Sequence, residues 1–194
     1  MLNISKGSPW VFWPNSICDT FPENPANKLL TSENNFTINL DFSYKEGNQK
    51  QKTIFALLPC YTGLDIHDTF SVFTVSYKKK TEHYTLPGMI NPDEKNRLVF
   101  KHRIKEGIYL YINDILVLSE NLNSHELGFD NNPHIIFGAG NFPRNNFNLN
   151  YVDLDLYKFE ILVNNNLLAK HDFKDFIFDK SVDITDNCNF IHKI

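Results

Sequence analysis

The chain has 194 residues, enough for one domain of ordinary size. A formal net charge of -4 argues against nucleic acid or an anionic membrane as the main partner, and no apolar run reaches the roughly 18 residues that cross a bilayer. With 25 Asn and 17 Phe against 4 Ala, the composition favours strands and turns over helices and predicts one all-β domain with long polar loops.

Residues 1–30 are punctuated by Pro9, Pro14, Pro22 and Pro25. Each lacks a backbone donor, so this stretch reads as a Pro-rich arm packing on a domain that begins at residue 31. Its opening, Met1 to Trp10, lacks the charged-then-apolar layout of a signal peptide. The expected location is therefore the cytoplasm or a larger surface or viral assembly. Trp10-Val-Phe-Trp13 reads either as a strand laid on the core or as an exposed aromatic platform.

Regular alternation begins at Phe36, where Phe36, Ile38, Leu40 and Phe42 alternate with Thr37, Asn39, Asp41 and Ser43. That is a half-buried strand. Residues 46–49 read as a turn and 53–59 as a second, more apolar strand. Gly63 to Asp68 reads as a solvated turn holding two carboxylates and an imidazole. Residues 70–77 form a third strand, ended by Lys78, Lys79 and Lys80; residues 82–86 form a short one, stopped by Pro87 and Gly88. Residues 96–103 alternate, 104–107 turn, and 108–118 form two short strands around Asn113-Asp114, residues that tolerate positive φ. Residues 134–140 are an apolar strand ending in glycines, and 141–150 a polar loop. A long alternating strand covers 151–163; Asn164 to Asn166 turns it into a strand over 167–173. The helix candidates are single turns at 93–97 and 121–127. The Phe excess falls at core positions, as in Phe36 to Phe42 and Phe70 to Phe73, and the Asn excess mostly in turns. Ten or so strands at this spacing predict two packed antiparallel sheets.

The three cysteines, Cys18, Cys60 and Cys188, are widely spaced and odd in number. They fit neither a disulfide framework nor a clustered zinc site and read as thiols, with a Cys18–Cys188 bridge as the alternative.

The order of these segments resembles a known family. Phe36-Thr-Ile-Asn-Leu-Asp-Phe is similar to the opening strand of laminin-G-like, concanavalin A-like lectin/glucanase jelly rolls. Asn96 to His102 followed by Gly107-Ile-Tyr-Leu-Tyr-Ile-Asn-Asp resembles the family's central hairpin, with Asp114 where Gly is usual. Ile135-Ile-Phe-Gly-Ala-Gly, Asn150-Tyr-Val-Asp-Leu-Asp-Leu-Tyr and Leu167-Leu-Ala-Lys-His-Asp-Phe resemble its later strands. The resemblance implies a concanavalin A-like β-sandwich (jelly roll), with a laminin-G-like domain over residues 31–194. Lectins, adhesion modules, glycosidases and lyases all use this fold, so function has to come from the residues.

Sugar cleavage has little to stand on. A glycosidase needs two carboxyl groups across the bond, and β-glucanase relatives carry Glu-x-Asp-x-x-Glu on one strand. The nearest match is Asp153-Leu-Asp-Leu-Tyr-Lys-Phe-Glu160. Asp153 and Asp155 share a face, whereas Glu160, at an odd offset, falls on the other side of a regular strand. The ingredients of a lyase, Tyr109, Tyr111, His102 and Arg103, form no convincing set. There is no Gly-x-Ser-x-Gly elbow and no phosphate loop, so no catalytic residue is assigned.

Binding asks for less: placed polar groups and an aromatic ring at a sandwich end. The loop Gly140-Asn-Phe-Pro-Arg-Asn-Asn-Phe-Asn supplies Asn141, Arg144, Asn145 and Asn146. Tyr61, Asp65, His67 and Asp68 are expected to join it, as are Trp10 and Trp13. Asp65 and Asp68 make calcium a candidate cofactor, whereas His67 suits a transition metal. The expected function is a non-catalytic, lectin-like module for a glycan or polysaccharide. The alternatives are a protein–protein adhesion or homo-oligomeric assembly module and a divergent polysaccharide hydrolase or lyase.

Overall fold

The computed structural model describes residues 1–4, 10–12, 34–48, 50–58, 62–68, 70–77, 80–86, 88, 90–121, 127, 134–138, 152–173 and 191–193. Among them are fourteen strands and no helix. One sheet contains β1 (Leu2–Ile4), β3 (Phe36–Tyr44), β8 (Asn96–Arg103), β9 (Gly107–Ile112), β10 (Ile115–Glu120), β12 (Leu154–Val163) and β13 (Asn166–Asp172). Its order is β1-β12-β3-β8-β9-β10, with β13 also on β12. The other contains β2 (Trp10–Phe12), β4 (Gln51–Leu58), β5 (Thr62–His67), β6 (Ser71–Ser76), β7 (Thr81–Leu86), β11 (His134–Phe137) and β14 (Ile191–Lys193), in the order β14-β2-β11-β4-β5-β6-β7. The pairings are antiparallel. This is an all-β sandwich of two antiparallel sheets, as the alternation requires.

The sheets meet through phenylalanines. Phe36 and Phe100 of the first sheet stand edge to face at 5.8 Å. Phe100 reaches Phe73 across the gap at 5.2 Å, and Phe73 reaches Phe55 at 6.4 Å. A second bridge joins Phe137 to Phe159 at 5.1 Å. All six are at most 1% exposed. Each such pair adds about 0.5–1.5 kcal/mol to the area it buries.

Local turn chemistry sets the hairpins. Asn113 and Asp114 take φ of 50° and 65°, and Asn164 and Asn165 take 48° and 66°, the left-handed pair that matches strand twist. The N-terminal residues enter both sheets: Leu2 pairs with Leu156, and Val11 pairs with Ile136.

Three features depart from the sequence reading. Residues 62–67 form the internal strand β5 rather than a solvated turn, with Asp65 only 4% exposed and bonded by Thr53 Oγ1 at 2.5 Å. Residues 93–97 form no helical turn, because β8 begins at Asn96. The third is a bulge: Leu156 pairs with Phe42 and Lys158 with Asp41, leaving Tyr157 opposite no residue. Buried positions accordingly switch from Leu154 and Leu156 to Phe159, Ile161 and Val163. The bulge turns Glu160 to the same outer face as Asp155, correcting the expectation from a regular strand. There Glu160 accepts from Asn39 at 3.2 Å and pairs with Lys158 at 3.0 Å.

Candidate functional site

A cleft of about 300 Å³ opens where β3, β4, β5 and β6 end or begin. Its wall takes Tyr44 from β3, Lys52 from β4, Ile66 and His67 from β5 and Ser71 from β6. Connecting residues Glu46, Gly47, Asp68, Phe70, Gly88, Ile90 and Pro92 complete it. Antiparallel register brings them together: Lys52 lies opposite Ile66, and Ile66 opposite Ser71.

Phe70 is the distinctive element. The sequence reading placed it in a core strand, but β6 starts one residue later and Phe70 is 39% exposed. Its ring stacks on the His67 imidazole, with centroids 4.8 Å apart and planes 13° from parallel. The His67 N–H donates to the Phe70 carbonyl at 2.8 Å, closing the β5–β6 connection and holding both rings at the rim. The polar residues lining the same cleft are Glu46 and Asp68, together with the buried Lys52, Tyr44 and Ser71. Ile66 and Ile90, both buried, supply apolar wall. Burial foremost, then the charges of Glu46 and Asp93, raises the Tyr44 hydroxyl above its ordinary value, so it stays a protonated donor. Gly88 takes φ of 59°, and a side-chain carbon there would meet nothing within 4 Å, which leaves that wall open.

The residues expected from the sequence separate. His67 and Asp68 line the cleft. Asp65 does not; its carboxylate is spent on Thr53 inside the sheet. Trp10 starts β2, paired with Phe137 and Lys193. Tyr61, Trp13, Asn141, Arg144, Asn145 and Asn146 lie outside the described residues. For calcium the fit is poor: Asp68 lines the cleft whereas Asp65 is buried on Thr53, and among the described residues no group of three His, Cys, Asp or Glu gathers to hold a metal ion. Sequence reasoning missed Tyr44, Glu46, Lys52 and Phe70. Of these only Phe70 carried a local signal, as an aromatic directly after the polar His67-Asp68-Thr69.

The other expected chemistry is divided between faces. His102 is buried toward the core, with Nδ1 2.9 Å from the Asn34 carbonyl, while Arg103 lies on the opposite side of β8, on the face shared by Tyr109 and Tyr111 of β9, which stand opposite Lys101 and Val99. No lyase-like set forms from these four.

No family model matches the sequence, and no curated protein matches it. Solved structures do resemble the fold. The binding domain of botulinum neurotoxin serotype D superposes with a TM-score of 0.54 at 17% identity, covering 86% of this chain and 38% of that one. The binding domain of Paraclostridial Mosquitocidal Protein 1 gives 0.53 at 17% identity, covering 72% and 36%. An alginate lyase of polysaccharide lyase family 7 gives 0.53 at 12% identity, covering 74% and 68%. The chain thus spans little more than a third of either toxin binding domain and about two thirds of the lyase. At these identities the likeness concerns the fold alone: this chain folds as a jelly-roll β-sandwich.

Proposed function

We propose that the protein is a non-catalytic glycan-binding module whose sugar site is the Phe70–His67 cleft. The observation that carries this is a ring 39% exposed and stacked on His67, at the rim of a cleft lined also by Glu46, Asp68, Lys52, Tyr44 and Ser71. A sugar ring has an apolar face for Phe70 and equatorial hydroxyls that donate to Glu46 or Asp68 and accept from Lys52 or Ser71. Two neighbours of the fold bear on the ligand class: the family 7 alginate lyase, and a variant of it described in complex with substrate at a TM-score of 0.51 and 14% identity.

The test is isothermal titration and thermal shift against neutral β-glucan and alginate oligosaccharides, with the Phe70→Ala variant beside the native chain. Aromatic contacts contribute about 0.5–1.5 kcal/mol, so Phe70→Ala should weaken binding about 2- to 12-fold. Silence across a broad glycan panel, or a variant that binds as the native chain does, overturns the assignment. Release of unsaturated or reducing ends from the same oligosaccharides would instead establish a polysaccharide-cleaving enzyme.

A further inference from the structure

The outer face of the sheet containing β8 and β9 divides into two electrostatic halves. On the β3 and β12 side the charges are matched. Asp41 takes Lys95 at 2.9 Å, and Glu160 takes Lys158 at 3.0 Å. Arg97, at the boundary, pairs with Asp114 at 3.2 Å. On the β8 and β9 side they are not. Lys101 and Arg103 have no carboxylate partner among the described residues.

Both cations are nonetheless held. Lys101 Nζ lies 4.6 Å from the centre of the Tyr111 ring. The Arg103 guanidinium donates to the Phe36 carbonyl at 3.3 Å, the His102 carbonyl at 3.2 Å and Thr37 Oγ1 at 3.4 Å. These acceptors are neutral, so they fix the side chain without cancelling its charge. Register places Tyr109 opposite Lys101, and Tyr111 opposite Val99 and Leu116. All of these alternate to the same outer side, because Leu98, Phe100, Leu110 and Ile112 face the core. Leu116 is exposed. The result is a strip of two tyrosines and apolar surface carrying two oriented, unneutralised cations.

We infer that this strip is a second binding site, distinct from the cleft, for a linear acidic polysaccharide. Lys101 and Arg103 are two residues apart, so their Cα atoms stand about 7 Å apart along the strand. That spacing takes two anionic groups of a chain rather than one small ion. Arg103 offers the planar fork suited to a carboxylate or sulfate, while Tyr109 and the apolar strip offer contact to the sugar rings between them. A net charge of -4 disfavours nucleic acid as the occupant.

The experiment is elution of the full chain from immobilised heparin and alginate, with titration of the same polysaccharides in solution. Lys101→Gln/Arg103→Gln should weaken binding at least tenfold. A control pair removing equal charge from matched positions on the same face, Lys95→Gln/Lys158→Gln, should change it less than threefold, and Arg103→Lys should retain part of it. Lys101→Gln alone, which breaks no backbone contact, keeps the test valid if the double variant melts early. Four results overturn the inference: equal loss in both pairs, no retention of either polysaccharide, tighter binding of single-stranded DNA, or saturation by free sulfate at the same concentration of anion. Phe70→Ala separates the two sites: if it abolishes heparin and alginate binding while Lys101→Gln/Arg103→Gln does not, the acidic chain is bound in the cleft and not on this strip.

Discussion

Phe70 and Phe73 are three residues apart, and their replacement by alanine separates a site residue from a core residue. Phe73 is 0% exposed and joins Phe55 to Phe100 between the sheets. Its loss leaves a cavity that neighbouring rings cannot fill, costing about 3–5 kcal/mol. For a chain of this length each kcal/mol moves the melting midpoint by about 2–4 °C, so Phe73→Ala should melt about 6–20 °C early. Phe70 is 39% exposed, so only some three fifths of a full side-chain burial is at stake. That amounts to about 1–2 kcal/mol, with no cavity term because the space opens to solvent. Phe70→Ala should therefore melt only about 2–8 °C early while losing glycan affinity. Differential scanning fluorimetry with urea titration measures both variants. A double-mutant cycle with His67→Ala should return a coupling of about 0.5–1.5 kcal/mol for the stacked pair. If Phe70→Ala destabilises as much as Phe73→Ala, the ring belongs to the core and the cleft loses its platform.

Three further outcomes test the fold. Burial first, then the Arg103 charge, holds the His102 imidazole below its ordinary value of 6.5 despite the Asn34 carbonyl, which pulls the other way. The unfolded chain therefore takes up this proton at a higher pH than the native one, and stability should fall as pH drops through about 6.5, levelling once native His102 also protonates; His102→Gln should flatten that part of the urea-midpoint profile between pH 8 and 5, and identical slopes would refute the assignment. Gly63→Ala would put a Cβ 2.3 Å from the Phe55 carbonyl oxygen and 2.9 Å from the Ala56 Cα. Main chain has to move, at about 1–3 kcal/mol; adding Ala56→Gly should not restore the midpoint, and a single variant within about 0.5 kcal/mol of native would sink the steric argument. Asp114→Gly removes a side chain from φ of 65° but also the exposed Arg97 pair at 3.2 Å. Since an exposed pair contributes about 0–1 kcal/mol, the midpoint should hold or rise slightly, and a loss above about 1 kcal/mol would show that the pair anchors the hairpin.

What the sequence made legible was local. The two consecutive hairpins from Asn96 to Glu120 are set by alternation and by turn residues at positive φ, Lys105 in one and Asn113 and Asp114 in the other, all within 25 positions. The register of β12 was not legible, because whether Leu156 is followed by a bulge depends on the strand opposite. Strand β5 was hidden for a different reason: Thr62-Gly-Leu-Asp-Ile-His67 reads as polar, and the Thr53 hydroxyl that bonds the buried Asp65 comes from another strand. The cleft draws on residues from Tyr44 to Pro92, so no spacing rule within a segment could assemble it.

The Asn excess shows most clearly what composition can and cannot say about recognition. Asn35 receives the Ile104 N–H on its side-chain oxygen at 2.8 Å, and Asn113 does the same for the Arg97 N–H at 2.8 Å. Asn164 accepts the Asn35 N–H at 3.1 Å, and Asn96 donates to the Asn91 and Glu94 carbonyls, both at 2.9 Å. Each amide satisfies backbone that the ladder leaves unpaired, which is how short polar side chains replace main-chain partners at strand ends. Asn35, Asn96, Asn113 and Asn164 are therefore fastenings first. Other groups point to a ligand more directly: Phe70 keeps part of its ring in solvent, and Lys101 and Arg103 have no carboxylate partner among the described residues, whereas Lys95 and Lys158 on the same face are paired.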